Sequence, residues 1–514
     1  MKALRKARII TQILFFAPLF FIFIDFTGIT GEYFKNLLTS LQFIPSIIKF
    51  LTIPSLLAGG FILILLLTII SGRAYCSTIC PLGILQDIAG YLKRKLFSRN
   101  RFDFKKPHKV IRYGLLVILL ISLVSGTMAA VNLFDPFSLF GRITFQIFRP
   151  LSIGVNNVIS FVLSRFGNYS VYPQEFYFVS SPVLAFTAFC FIGITVLAVY
   201  RGRWYCNVIC PVGTFLGLIS KFSIYKFEIN HPLCTECGAC GKMCKSECID
   251  TEKKIIDMER CVVCFNCTTV CNSSAITLTN RYRREGPKFS SERRVFINKL
   301  GSFLPGLLLF YSMKDSIIVY VLNKIPVIRK TPVTPPGAVS LNHFTSRCTA
   351  CGLCVSTCPT HVIQPALFAY GTEGALQPVL DFEKSFCNYE CNLCTLICPT
   401  GALLPMGIEA KKVSQLGKAV FIKDNCVVIT QKTECGACSE HCPTKAVTMI
   451  PYEGLMLPEV REKYCVGCGA CEKACPTKPY KSIYVEGNAE HKIAEKNLEK
   501  KKIKEEKVLE EFPF

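Results

Sequence analysis

Residues 348–359 read Cys-Thr-Ala-Cys-Gly-Leu-Cys-Val-Ser-Thr-Cys-Pro, which sets Cys348, Cys351, Cys354 and Cys358 on one short ladder of thiols. Three more ladders follow: Cys387, Cys391, Cys394 and Cys398; Cys426, Cys435, Cys438 and Cys442; and Cys465, Cys468, Cys471 and Cys475. All four end in Cys-Pro. Three thiolates two residues apart can wrap one corner of an iron–sulfur cubane. The fourth, turned away by its proline, reaches a neighbouring cluster in two-cluster ferredoxins. Structural zinc needs only Cys-x-x-Cys pairs with a longer spacer. Sixteen cysteines in this repeated pattern point to [4Fe–4S] clusters rather than zinc. Spacing leaves the pairing open between sequential (first with second, third with fourth) and nested (first with fourth, second with third). The irregular intervals Cys387–Cys391 and Cys426–Cys435 tilt the expectation toward nesting.

Two earlier ladders, Cys234, Cys237, Cys240, Cys244 and Cys261, Cys264, Cys267, Cys271, keep the regular spacing. Crossed ligation would put Cys271 with the first three thiols and Cys244 with Cys261, Cys264 and Cys267. The usual proline is absent, since Lys245 and Asn272 follow the last thiols. Cys248 competes as a fourth ligand or stands as a spare thiol, and the spare reading is preferred.

The rest of the 514 residues sets the context for these ladders. Half the chain is hydrophobic, with 40 Phe, which points to a membrane protein. Twenty-four of its 30 cysteines fall into the six ladders, so metal and not a disulfide framework explains the count. No Cys-x-x-Cys-His occurs, and the six histidines (108, 231, 343, 361, 441 and 491) lie outside the long apolar runs, so haem is not expected. Residues 1–329 carry 38 Lys+Arg against 16 Asp+Glu, while 330–514 carry 21 against 20. The net charge of +23 thus sits beside the apolar runs and reads as topology, not as a nucleic-acid footprint.

Apolar runs cover 9–24, 50–72, 113–134 and 176–200, the last three each long enough to cross about 20 residues' worth of hydrocarbon. The first is shorter and takes Asp25 at its far end; a signal peptide competes there, but no small-residue cleavage site is evident. Segments 25–49 and 135–175 hold five Lys+Arg between them, whereas 73–112 alone holds ten, so the N-terminus and the 73–112 loop are expected in the cytoplasm. Asp25, Asp135 and His108 are candidates for proton handling, with an interfacial charge the preferred reading of each. Cys190, mid-run, reads as a small packed hydrophobe.

Two runs end alike. Gly72-Arg73-Ala74-Tyr75-Cys76, then Cys80-Pro81 and Gly83, recurs as Gly202-Arg203-Trp204-Tyr205-Cys206, then Cys210-Pro211 and Gly213. Chance does not repeat Arg, Tyr, both Cys, Pro and Gly in register. Cys76, Cys80, Cys206 and Cys210 are therefore expected to converge on one further cluster or metal, the alternative being two helix-ending turns with free thiols.

Arg293 and Arg294 precede an apolar stretch from 300 that Lys314 and Asp315 interrupt. This resembles a twin-arginine export signal inside the chain and is expected to act as a fifth span, with an interfacial helix the alternative. The fold class expected is an α-helical membrane domain of about five transmembrane helices plus α+β ferredoxin-like [4Fe-4S] domains. The boundaries are 1–229 (membrane), 230–282 (cytoplasmic, two clusters), 283–337 (linker and fifth span), 338–490 (four clusters, periplasmic) and 491–514, a tail alternating Lys and Glu.

The four runs, the paired Cys-x-x-x-Cys-Pro turns and the two-ladder module resemble the NapH and NosR-like membrane ferredoxins of periplasmic nitrate reductase systems. Residues 291–487, with Pro335-Pro336-Gly337-Ala338 and the long Cys426–Cys435 interval, resemble the NapG family, so the chain is similar to a NapH–NapG fusion. The resemblance implies a protein of the bacterial inner membrane that takes electrons from the quinol pool, menaquinol being the expected substrate. Six [4Fe-4S] clusters would pass them to a periplasmic reductase such as nitrate reductase, or to its electron-carrier subunit. Lipid is an implied partner and nucleic acid is not. The alternative is an assembly or maturation factor that reduces a metal centre in a partner enzyme. A cytoplasmic ferredoxin reductase finds no Gly-rich dinucleotide fingerprint.

Overall fold

The computed structural model describes residues 2–25, 28, 30–54, 59–97, 102–177, 179–280, 327 and 329–496. The twin-arginine segment with its expected span, and the tail beyond 496, lie outside the described residues.

The helical region runs α1 (Lys2–Ile24), α2 (Glu32–Ser40), α3 (Phe43–Thr52), α4 (Gly60–Ser71), α5 (Tyr75–Thr78), α6 (Pro81–Phe97), α7 (Lys109–Val124) and α8 (Ala129–Phe134). Then α9 (Pro136–Ile143) continues through a π-turn at Thr144–Phe148 into α10 (Arg149–Arg165), followed by α11 (Ser181–Arg201) and α12 (Pro211–Ser220). Among the described residues three helices are long and apolar enough to cross a membrane: α1, the joined rod Pro136–Arg165, and α11.

Two of these match runs in the sequence, and two other runs are broken. Residues 50–72 divide between α3 and α4, and 113–134 between α7 and α8. Pro136–Arg165 falls in the segment 135–175, which the sequence places between two apolar runs. Charge misleads there, because Arg142 and Arg149 are buried and donate to carbonyls of the cysteine-rich region instead of marking a solvated segment. Asp135 caps this rod: its carboxylate accepts from Ser138 N at 2.8 Å and Ser138 Oγ at 2.6 Å, with Pro136 preset for the first turn.

The cysteine-rich parts pack at the two ends of α1. Near its start, Arg5 reaches Thr269 at 3.5 Å. Near its end, Phe23 lies where a side chain on Gly141 would go, and the Cys351 carbonyl approaches the same glycine. The two-ladder module is built on antiparallel pairs Tyr225–Ile229 with Ile276–Asn280 and Ile249–Asp250 with Ile255–Ile256. The four-ladder module uses Ile363–Pro365 with Pro378–Leu380, Ser414–Phe421 with Ile483–Ile493, and Val447–Tyr452 with Leu455–Val460. The strand ending at Ile493 overruns the boundary expected at 490. One apolar core links the ends, joining Val262 of the first module to Cys351, Leu353 and Ile397 of the second through the helices.

Candidate iron–sulfur column

Each ladder is a loop that closes on a helical turn, and in four of the six a left-handed residue stands where the chain doubles back, Phe265 (φ 60) in the Cys261 ladder among them. Gly238 (φ 68), Gly352 (φ 81) and Gly469 (φ 79) serve this in three ladders. The thiols then group across ladders. In the two-ladder module Cys234, Cys237, Cys240 and Cys271 line one hollow, while Cys244 lies in electrostatic reach of Cys264, Cys261 and Cys267. This is the crossed arrangement expected from spacing.

The four-ladder module settles the order of its thiols. Cys398 lies among Cys348, Cys351 and Cys354, and Cys358 among Cys387, Cys391 and Cys394. Cys475 joins Cys426, Cys435 and Cys438, and Cys442 joins Cys465, Cys468 and Cys471. Pairing is sequential, so the tilt toward nesting is corrected. The extra residues at Cys387–Cys391 and Cys426–Cys435 are absorbed within a ladder and do not redirect it. The two pairs meet where Cys387 N donates to Cys468 O at 2.9 Å.

These groups fit a cubane better than a single ion. A tetrahedral zinc with Zn–S near 2.3 Å needs sulfurs about 3.8 Å apart. Among the described residues no group of three or more Cys, His, Asp or Glu side chains is arranged to hold a single metal ion. Burial pushes the Cys351 and Cys468 thiols up to about 12 and Cys387 up to about 11, so metal must displace their protons.

The repeated Cys-x-x-x-Cys-Pro turns come together between the two modules. Arg73 Nη2 donates to Cys206 O at 2.9 Å, and Arg203 Nη1 donates to Cys76 O, so each copy's arginine holds the other copy's first cysteine. Gly83 and Gly213 make room: a Cβ on either would lie within 2.4 Å of the Cys76 or Cys206 carbonyl. Cys76, Cys80, Cys206 and Cys210 are buried within electrostatic reach of one another. Tyr205 sits in a π-turn, Tyr205–Ile209, and its hydroxyl donates to Phe134 O at 3.2 Å; Tyr75 Oη meets Gln42 at 3.2 Å. Asp135 lies between these tyrosines and Cys351.

Asp87 was missed in the sequence, where it stands with Asp103 as one of two acids in a basic loop. Its carboxylate pairs with Arg203 at 2.7 Å, Arg8 at 3.6 Å, and Lys245, which occupies the place of the missing proline. Burial alone would raise this carboxyl, but Arg203 and Lys245 hold it well below the usual range. Of the proton-handling candidates, Asp25 accepts from Thr30 Oγ1 at 2.6 Å and His108 lies edge-on to Trp204 at 6.3 Å. Cys248 is buried with its sulfur 3.5 Å from Cys244, and Cys190 packs against the apolar core.

Known families match in four places. The family described as "4Fe-4S binding domain" matches residues 52–100 and 183–230, the two copies of the repeat. Families described as "4Fe-4S dicluster domain" match 347–403 and 433–478. The ferredoxin-type protein NapH of Escherichia coli (strain K12) is 27% identical over 44% of this chain and 68% of its own length. The methylamine utilization ferredoxin-type protein MauM of Methylobacillus flagellatus is 31% identical over 29% of this chain and 65% of its own. An uncharacterized protein of Methanocaldococcus jannaschii is 25% identical over 42% and 69%. No solved structure matches the chain. The chain thus carries [4Fe–4S] ferredoxin-type domains joined to membrane-span-like helices, and its relatives are ferredoxin-type electron-transport proteins.

Proposed function

We propose that the protein is a membrane-bound electron relay taking electrons from quinol, menaquinol being the expected form, to a reductase on the outer side of the bacterial inner membrane. The two-ladder module faces the cytoplasm and the four-ladder module the periplasm, as a NapH–NapG-like chain would. The 24 ladder cysteines hold six [4Fe–4S] clusters, each passing one electron at a time. Cys76, Cys80, Cys206 and Cys210 hold a seventh redox centre between them. The observation that carries this reading is the succession of thiol sets. It runs from the Cys234 and Cys261 sets through the crossed-arginine turns to the Cys348, Cys387, Cys465 and Cys426 sets.

The test adds a soluble menaquinol analogue to purified protein with oxidised clusters in detergent. The expected result is bleaching of the iron–sulfur absorbance. Clusters that dithionite reduces and quinol never does would sink the quinol reading and favour a maturation factor fed by another donor.

A further inference from the structure

A cavity of about 700 Å³ lies between the helices and the four-ladder module, within the size range of small-molecule sites. Cys358, whose thiol belongs to the Cys387 set, forms part of its wall. One side is apolar, from Phe145, Ile153, Leu184, Val355 and Ile397. The other presents Asp25, Glu32, Lys35, Gln146 and Arg149. Gln146 and Arg149 are only 5% and 6% exposed, yet Gln146 Oε1 and Arg149 Nε have no hydrogen-bond partner among the described residues. A buried acceptor and a buried donor left unpaired are costly unless a ligand completes them.

A second cavity, about 520 Å³, opens among α1, α6 and α11 at the opposite end. It too has an apolar wall, from Ile9, Ile13 and Phe16, but no cysteine lines it and its polar end is closed by the Asp87 ion pairs. The two differ in the one respect that matters to a redox ligand, contact with a ladder.

Building on the quinol reading above, we propose that the larger cavity is the quinol site, with the ring seated between Gln146, Arg149 and Cys358. Gln146 Oε1 accepts from a quinol hydroxyl, and Arg149 Nε donates to the other ring oxygen. Ile153 and Leu184 belong to α10 and α11, whose outer surfaces, such as Leu151, Val155 and Phe189, are exposed and apolar. An isoprenoid tail leaves along that face into lipid. On oxidation the quinol loses two protons and two electrons and departs as quinone. The two electrons would go one each to two oxidised [4Fe–4S] clusters, the first of which Cys387, Cys391, Cys394 and Cys358 would hold. The protons pass through buried Asp25 and exposed Glu32 to the outer solution.

Photolabelling with an azidomenaquinone, followed by peptide mapping, reads binding without turnover. The wild-type protein is expected to be labelled on peptides containing 146–153 or 355–364. Ile153→Trp fills the cavity and should lose the label and slow quinol bleaching at least tenfold, with the dithionite-reduced EPR spectrum unchanged. Gln146→Leu, which keeps the volume, should weaken labelling severalfold and guards against a misfolded tryptophan variant. Labelling and bleaching that survive both substitutions but vanish in Ala17→Trp, in the smaller cavity, would overturn the assignment while leaving quinol as donor. A labelled wild-type protein that quinol never bleaches would instead overturn the donor reading.

Discussion

The two cysteine-rich modules share one ladder chemistry and are fastened to the helices in opposite ways. The two-ladder module is held by buried ion pairs: Asp87 with Lys245, Glu259 with Arg112 at 3.1 Å, and Glu247 with Arg201 at 2.9 Å. Among the described residues no ion pair joins the four-ladder module to the helices. It is held by apolar packing and by single donors to its carbonyls, Arg149 to Ser356 at 2.8 Å, Asn132 to Ala375 at 2.9 Å and Asn36 to Leu396 at 3.0 Å. Ion pairs fix orientation sharply but fail badly when one partner is lost. Carbonyl contacts tolerate single losses, because each contributes little and the apolar face remains.

Iron removal should have the largest effect and should fall harder on the four-ladder module. Five of the nine buried residues in one of its apolar clusters are cysteines, so extracting iron leaves little to hold those loops together. The fully loaded chain should carry about 24 iron atoms at four per cube. Chelation should abolish the cooperative melt of this module, while circular dichroism still reports the helices. Next comes the difference in fastening. Asp87→Asn leaves Arg203 and Lys245 buried without a counter-charge and should cost about 3–5 kcal/mol, read as loss of the two-ladder EPR signals at lowered temperature of melting. Asn132→Ala, its counterpart at the other end, should cost only about 1 kcal/mol. A smaller substitution result for Asp87 than for Asn132 would erase the contrast.

Within the four-ladder module, Gly469→Ala places a methyl 2.0 Å from the buried Phe382 ring at φ 79 and should cost about 2 kcal/mol, seen as a weakened Cys465-set signal. The smallest effect is in pH. Burial lowers His491 from 6.5 to about 4 in the strand paired with Ser414–Phe421, so the folded module favours the neutral ring. That contribution is complete above pH 6.5 and is lost as pH falls from 6.5 toward 4. His491→Gln should flatten the pH dependence of melting in that window.

Much of this site is legible in the sequence because a cubane fixes its ligands locally. Three thiols of each set come from one ladder, and spacing alone names them. The crossed fourth thiol in residues 230–280 follows from the same rule. What spacing does not carry is long-range. Sequential pairing rests on Cys398 lying among Cys348, Cys351 and Cys354 and on Cys475 lying among Cys426, Cys435 and Cys438, contacts between ladders that the spacing within one ladder does not fix. The convergence of Cys76, Cys80, Cys206 and Cys210 was signalled by the repeat, and its cause, arginines exchanged between copies, stood in register but could not be read as crossed. The helical rod Pro136–Arg165 was hidden because its arginines serve the neighbouring module and not water. Asp87 gave no signal beyond being an acid among bases.

The central claim is that the two modules exchange electrons through the turns at Cys76 and Cys206. The direct test places the protein in sealed vesicles and adds, on the two-ladder side, a reduced ferredoxin too large to cross, reading each module's clusters by EPR. The account predicts reduction of both modules in the wild-type protein. In the Cys76→Ser/Cys206→Ser variant it predicts reduction of the two-ladder module alone, with dithionite in detergent still reducing every cluster. Four-ladder clusters that stay oxidised in the wild type, or that are reduced as fast in the variant, would contradict it.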